Sequence, residues 1–108
     1  MDEKKVLKLF ISQPINDKTD EEILAERERV IEKVKAEYPD DRIEVIDSYF
    51  QGAPHYAKPL WFLAKALEKL SEADVAIFAS GWENYRGCKI EHTCAIEYGI
   101  TVIESYSK

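Results

Sequence analysis

Two rhythms of apolar residues alternate along the chain. Val6 to Ile11 (VLKLFI) is a short apolar run closed by Ser12-Gln13-Pro14, and it predicts a buried strand. Thr19-Asp20-Glu21-Glu22 is a capping box, in which the Thr19 hydroxyl and the Glu22 carboxylate each satisfy a free backbone N–H, so a helix starts there. Ile23, Arg27, Val30, Ile31, Val34 and Tyr38 then recur at three- and four-residue steps and form its inner face, before Pro39-Asp40-Asp41 ends it. Arg42 to Ile46 alternates as a strand does, with Asp47-Ser48-Tyr49 at its end. Phe50 to Tyr56, with Gly52, Pro54 and His55, reads as a loop. Pro59 suits the first turn of a second helix, with Leu60, Leu63, Ala64, Leu67 and Leu70 on one face and an end near Ser71. Val75 to Phe78 is a wholly apolar strand that opens into Ala79 to Gly87. A third helix runs from about Gly87 to Tyr98-Gly99, the glycine in left-handed capping position, and Thr101-Val102-Ile103 is the last strand.

The order β-α-β-α-β-α-β predicts an α/β fold: one three-layer, flavodoxin- or Rossmann-like domain over residues 1–108. Right-handed crossovers make the four strands parallel, in the order 2-1-3-4, with helices on both faces. Ligands of such sheets bind beyond the carboxyl ends of the strands. The candidate binding residues are therefore Ser12, Gln13 and Pro14; Asp47 and Tyr49; and Ser80, Gly81, Trp82, Asn84, Arg86, Gly87 and Cys88.

Fifteen Lys and Arg stand against 21 Asp and Glu, a net charge of −6 that argues against a nucleic-acid polymer as partner. No apolar run reaches the length of a bilayer span and the first residues do not resemble a secretory signal, so no membrane partner and a cytoplasmic location are expected. Cys88 and Cys94, six apart on one helix, point about 240° apart around its axis and read as reduced thiols.

In the third helix, Gly87, Glu91, Cys94, Ala95 and Tyr98 fall on one predicted sheet-facing stripe, where Glu91 is the sole carboxylate. A carboxylate among apolar neighbours is costly to desolvate and is a candidate for catalysis; a slight rotation of the helix would make it a solvated surface charge. Arg86, Gly87 and Cys88 at the helix start suit an anion, although a glycine there also serves a tight turn. Tyr49, Phe50, Tyr56, Trp61, Trp82 and Tyr85 cluster around the same mouth, Trp61 as core and Trp82 placed to stack on a planar ring such as a nucleobase. Cys88 and His92 share a helix face, but a zinc site needs at least three ligands and His55 would have to join them, so neither metal nor cofactor is expected. Cys88 as a nucleophile activated by the helix end and Arg86 is a minor option.

The strand end Phe10-Ile11-Ser12-Gln13-Pro14, the approach Ser71-Glu72-Ala73-Asp74 into Val75-Ala76-Ile77-Phe78, Gly87-x-x-x-Glu91 and Tyr98-Gly99 together resemble the nucleoside 2-deoxyribosyltransferase superfamily. The run Gly-Trp-Glu-x-x-Arg-Gly-Cys-x-x-Glu from Gly81 to Glu91 resembles more closely a compact bacterial and bacteriophage branch of it. The resemblance implies that Glu91 is a nucleophile toward the anomeric carbon of a nucleoside or nucleotide. It expels the base, as in base release or deoxyribosyl transfer, and leaves a glycosyl ester for water or a second base to resolve. It also implies a 5′-phosphate near Gly87 and Cys88, and a homo-oligomer whose neighbouring subunit completes the site; Ile96 on the outer side of the third helix and aromatics such as Phe62 beside Trp61 are the candidate contact surface. Two positions depart from the pattern: Tyr85 stands where the transferases carry an Asp, and Ala66 where they carry a further acidic residue. Glu83, Asp47 or Tyr49 are the available substitutes, and the departures motivate an alternative, a non-catalytic module that binds a nucleotide-derived small molecule.

Overall fold

The computed structural model describes residues 5–15, 17–47 and 57–105. Four strands, β1 (Val6–Ser12), β2 (Arg42–Val45), β3 (Val75–Phe78) and β4 (Thr101–Glu104), form one parallel sheet in the order β2-β1-β3-β4. Three helices, α1 (Asp20–Glu37), α2 (Pro59–Leu70) and α3 (Arg86–Glu97), make the crossovers, so the fold is the expected three-layer α/β domain with Rossmann-like winding. Register runs without a bulge: Leu9 lies beside Val45 on one side and Val75 on the other, and Ser12 beside Phe78.

Strand periodicity sorts the core into two halves. Leu7, Leu9, Ile11, Val75, Ile77 and Ala79 point to one face, where Val30 and Val34 of α1 cover them. Phe10, Ala76 and Phe78 point to the other, against Ala66 and Leu70 of α2 and Cys88 and Ala95 of α3. Ser12 shares the parity of Phe10, so its side chain emerges on the α2/α3 side, where it is 2% exposed. At the opposite end of the sheet, Lys8 N–H donates to Asp74 Oδ2 at 2.9 Å and Asp74 N–H returns the bond to Lys8 O at 2.9 Å, which sets the entry to β3 beside β1.

Local signals hold at the ends of the elements. Thr19 Oγ1 accepts from Glu22 N–H at 3.1 Å while Thr19 N–H donates to Glu22 Oε1 at 2.9 Å, the capping box of α1. Pro59 occupies the first turn of α2, and Gly99 has φ 74° just beyond α3.

Two helix faces differ from the periodicity. In α2 the buried residues are Ala66 and Leu70, while Ala64 is exposed and Leu60 is 74% exposed. The first half of α2 overhangs an opening at the end of the sheet, so its apolar side chains border that opening instead of the core. In α3 the buried residues are Cys88 and Ala95, and Tyr98 is 84% exposed. The buried stripe is turned by about one residue from the predicted one, which sets Glu91 about 60° to one side of Cys88 and His92 about 40° to the other.

Candidate functional site

A cleft of about 850 Å³ opens beyond the carboxyl ends of the strands, between the end of β1, the first halves of α2 and α3, and one side chain of α1. Its position is the switch point of the topology, since β1 crosses to β2 on one side and pairs with β3 on the other. Phe10, Ile15, Leu60, Phe62, Leu63 and Ile90 supply apolar wall. Ser12, Gln13, Arg27, Lys58, Tyr85, Arg86 and Glu91 supply polar groups.

Glu91 is the only acidic side chain among the described residues that line the cleft. The Ser12 hydroxyl donates to its Oε1 at 2.5 Å, and among the described residues Oε2 has no hydrogen-bond partner. Burial pushes the Glu91 carboxyl up to about 7, against the opposing pull of the Ser12 hydrogen bond. The group therefore changes charge near neutrality.

Cys88 lies one turn before Glu91, with its thiol close enough to the Ser12 hydroxyl to feel it. Burial pushes the thiol up to about 11, with the nearby Glu91 adding to the shift. The thiol is thus protonated at neutral pH, the reverse of what an activated cysteine nucleophile requires. Both cysteines are free thiols.

Of the residues expected to bind a ligand, Ser12, Gln13, Pro14, Arg86, Gly87 and Cys88 line the cleft with Glu91, and Tyr85 joins them from the start of α3. Gly87 is not held by backbone strain, because its φ is not positive; a Cβ there would meet no atom within 4 Å.

Asp47, Ser80, Gly81, Trp82 and Asn84 are not among the lining residues. Asp47 is exposed at the end of β2, and Asn84 is exposed in the single 3-10 turn before α3. Ser80 is drawn to the α1 side, where its N–H donates to Glu26 Oε2 at 3.2 Å and its Oγ accepts from Arg29 at 3.3 Å. Gly81 supplies the left-handed turn, φ 88°, where a Cβ would lie 3.7 Å from Pro14 Cγ. Tyr49 lies outside the described residues, as do Phe50, His55 and Tyr56.

Trp82 corrects the expectation of an indole platform. It is 7% exposed, stacks on the His92 ring at 4.2 Å between centroids and 17° between planes, and packs on Phe78. His92 in turn pairs with Glu104 of β4. The loop after β3 folds back as a 3-10 turn, and the rotated α3 offers His92 as a surface for the indole, so burying the ring wins over exposing it. Among the described residues no three metal-ligating side chains converge.

The sequence pattern alone leaves several lining residues outside the candidate set, Arg27, Lys58, Phe62 and Leu63 among them. Helical spacing puts Arg27 on the inner face of α1, and a cation at an otherwise apolar position is the signal that marks it. Spacing puts Phe62 at the surface and Leu63 on the inner face of α2, and the overhang of α2 brings both to the cleft.

No protein-family model matches the sequence, and no curated protein does. Among solved structures, the chain is similar to the crystal structure of a conserved protein from Enterococcus faecalis V583, with a TM-score of 0.62 at 16% identity over 92% of this chain. At that identity the likeness is one of fold. The chain spans 62% of the length of that structure. Among the described residues no helix is long and apolar enough to cross a membrane.

Proposed function

We propose that the cleft binds a nucleoside or nucleotide and that Glu91 acts on its N-glycosidic bond. The observation that carries the reading is that, among the described residues, Glu91 is the lone carboxylate of a largely apolar cleft and is hydrogen-bonded through Oε1 only. In its ionised form Glu91 would attack the anomeric carbon. The C–N bond breaks as the C–O bond forms, the base leaves with the electron pair and takes up a proton, and the enzyme holds a glycosyl ester. Water or a second base then attacks the same carbon and restores the carboxylate. Ser12 orients the nucleophile through its hydrogen bond to Oε1.

The experiment is an assay of free-base release from 2′-deoxynucleosides and their 5′-monophosphates. Release by the wild-type protein and its loss in Glu91→Ala supports the reading. Absence of release across the panel, or full activity in Glu91→Ala, removes it.

A second reading is favoured by a specific feature. Glycoside chemistry of this kind uses two carboxyl groups, and Glu91 has no acidic companion among the described lining residues. Tyr85 and Ala66 both line the cleft at the positions where the resemblance expects acids. The alternative is a module that binds a nucleotide-derived molecule without turnover, which calorimetric binding in the absence of base release would identify.

Either reading is compatible with a homo-oligomer. Ile15, Leu60 and Ile90 at the cleft are 44%, 74% and 38% exposed, an apolar rim that a second copy would cover. Light scattering at micromolar concentration tests it, and a monomer there removes the proposal.

A further inference from the structure

Arg27 is the one residue of α1 among those that line the cleft. The buried side of α1 packs on the sheet face opposite to α2 and α3, so this side chain reaches the cleft from the other layer. Its guanidinium is half-buried, and it donates to Ile46 O at 3.3 Å and to Gln13 Oε1 at 3.5 Å. Gln13 is itself fixed, because its Nε2 donates to Ile23 O at 3.0 Å and so turns Oε1 toward Arg27. A guanidinium carries five N–H donors. Among the described residues two are engaged, both at long range, and no carboxylate forms an ion pair with it. Burial disfavours its charged form, and Asp47 offsets that only through space. A cation withdrawn from water without a carboxylate partner gains most from an anion brought to it.

The surrounding charge points the same way. Among the described residues Arg27, Lys58 and Arg86 line the cleft against Glu91 alone, in a chain of net charge −6. Three cations fit a doubly charged phosphomonoester better than a single carboxylate, and the guanidinium fork matches phosphate oxygens in pairs.

We infer that Arg27 is a specificity-determining residue of the cleft, whose guanidinium holds the phosphate of a phosphorylated ligand and selects it over the unphosphorylated parent. The inference rests on the reading of the cleft as a nucleoside-sized ligand site, and is independent of nucleophilic attack by Glu91.

Calorimetry with three probes tests it: a 2′-deoxynucleoside, its 5′-monophosphate, and 2-deoxyribose 5-phosphate. The wild-type protein binds the monophosphate more tightly than the nucleoside. In Arg27→Met, which keeps the aliphatic stem, monophosphate affinity falls roughly ten- to a hundredfold while nucleoside affinity is unchanged. Arg27→Lys, which keeps the charge without the fork, loses part of the preference. A preference that survives undiminished in either variant overturns the inference, as does loss of preference in Arg86→Met but not in Arg27→Met. Failure of all three probes to bind the wild-type protein overturns it as well. Arg27-dependent binding of either phosphate without any base release leaves the inference standing and removes the glycosidic chemistry. Equal release from nucleoside and monophosphate does the reverse.

Discussion

Ser12 and Glu91 are 79 residues apart in the chain, yet the Ser12 hydroxyl donates to Glu91 Oε1 at 2.5 Å. The bond joins the last residue of β1 to the second turn of α3, and it is the main force that opposes the effect of burial on the carboxyl. Ser12 is 2% exposed, so it braces the site from within.

Glu91 makes the fold pH-dependent. Its carboxyl sits at about 7 in the folded protein against an ordinary 4.5, so between these values the folded state binds more protons than the unfolded one. Stability from this group is fully present below about pH 4.5 and is lost progressively as pH rises through about 7, by roughly 3 kcal/mol at most. Urea denaturation of wild type and Glu91→Gln from pH 4.5 to 8 checks it. The difference between the two should grow in favour of the glutamine variant across that window, and a constant difference contradicts the assignment.

Ser12→Ala should raise the Glu91 carboxyl further, because the hydrogen bond that favours the ionised form is gone while burial stays. Carboxyl-carbon NMR titration reads this without reference to activity. If the protein releases base, the rate should rise with pH around neutrality as the nucleophile ionises, and the midpoint should move upward in the same variant.

Gly87 separates fold from ligand. Gly87→Ala, in the first turn of α3 with no atom within 4 Å of the new Cβ, should leave stability unchanged or raise it by about 0.5–1 kcal/mol. Gly87→Phe should leave the far-ultraviolet circular dichroism intact and weaken any ligand of the cleft at least about tenfold, by filling the room that ligand uses. Thermal melts and calorimetry distinguish the two effects.

Trp82 is a core residue here, so Trp82→Ala should cost about 3–5 kcal/mol, near the total stability of a small domain. Trp82→Phe should retain much of it. A ligand that binds in the cleft should leave the Trp82 fluorescence of a Trp61→Phe variant unquenched; direct quenching would mean the indole meets the ligand.

Thr19→Ala should lower stability by about 1 kcal/mol through loss of the capping box, with no effect on the cleft. Chemical denaturation checks the magnitude.

Local chemistry by itself determined much of this protein. Turn residues, the Thr19 capping box, Pro59 and Gly99 mark where elements begin and end, and short apolar runs alternating with helical spacing admit one economical topology, the parallel sheet in order 2-1-3-4. Glu91 also stood out from the sequence, because a carboxylate near an apolar helix stripe has an energetic cost that asks for a reason. Tertiary structure decided the rest. The rotation of α3 depends on Trp82 folding under His92, a contact between a loop and a helix that no spacing encodes. The exposure of Leu60 depends on how far α2 overhangs the sheet. Arg27 belongs to a helix that packs on the opposite face, and only the meeting of the two layers at the end of the sheet brings its guanidinium to the cleft that holds Glu91. Periodicity reports which way a side chain leaves its own element. What it meets there depends on how elements distant in sequence pack together.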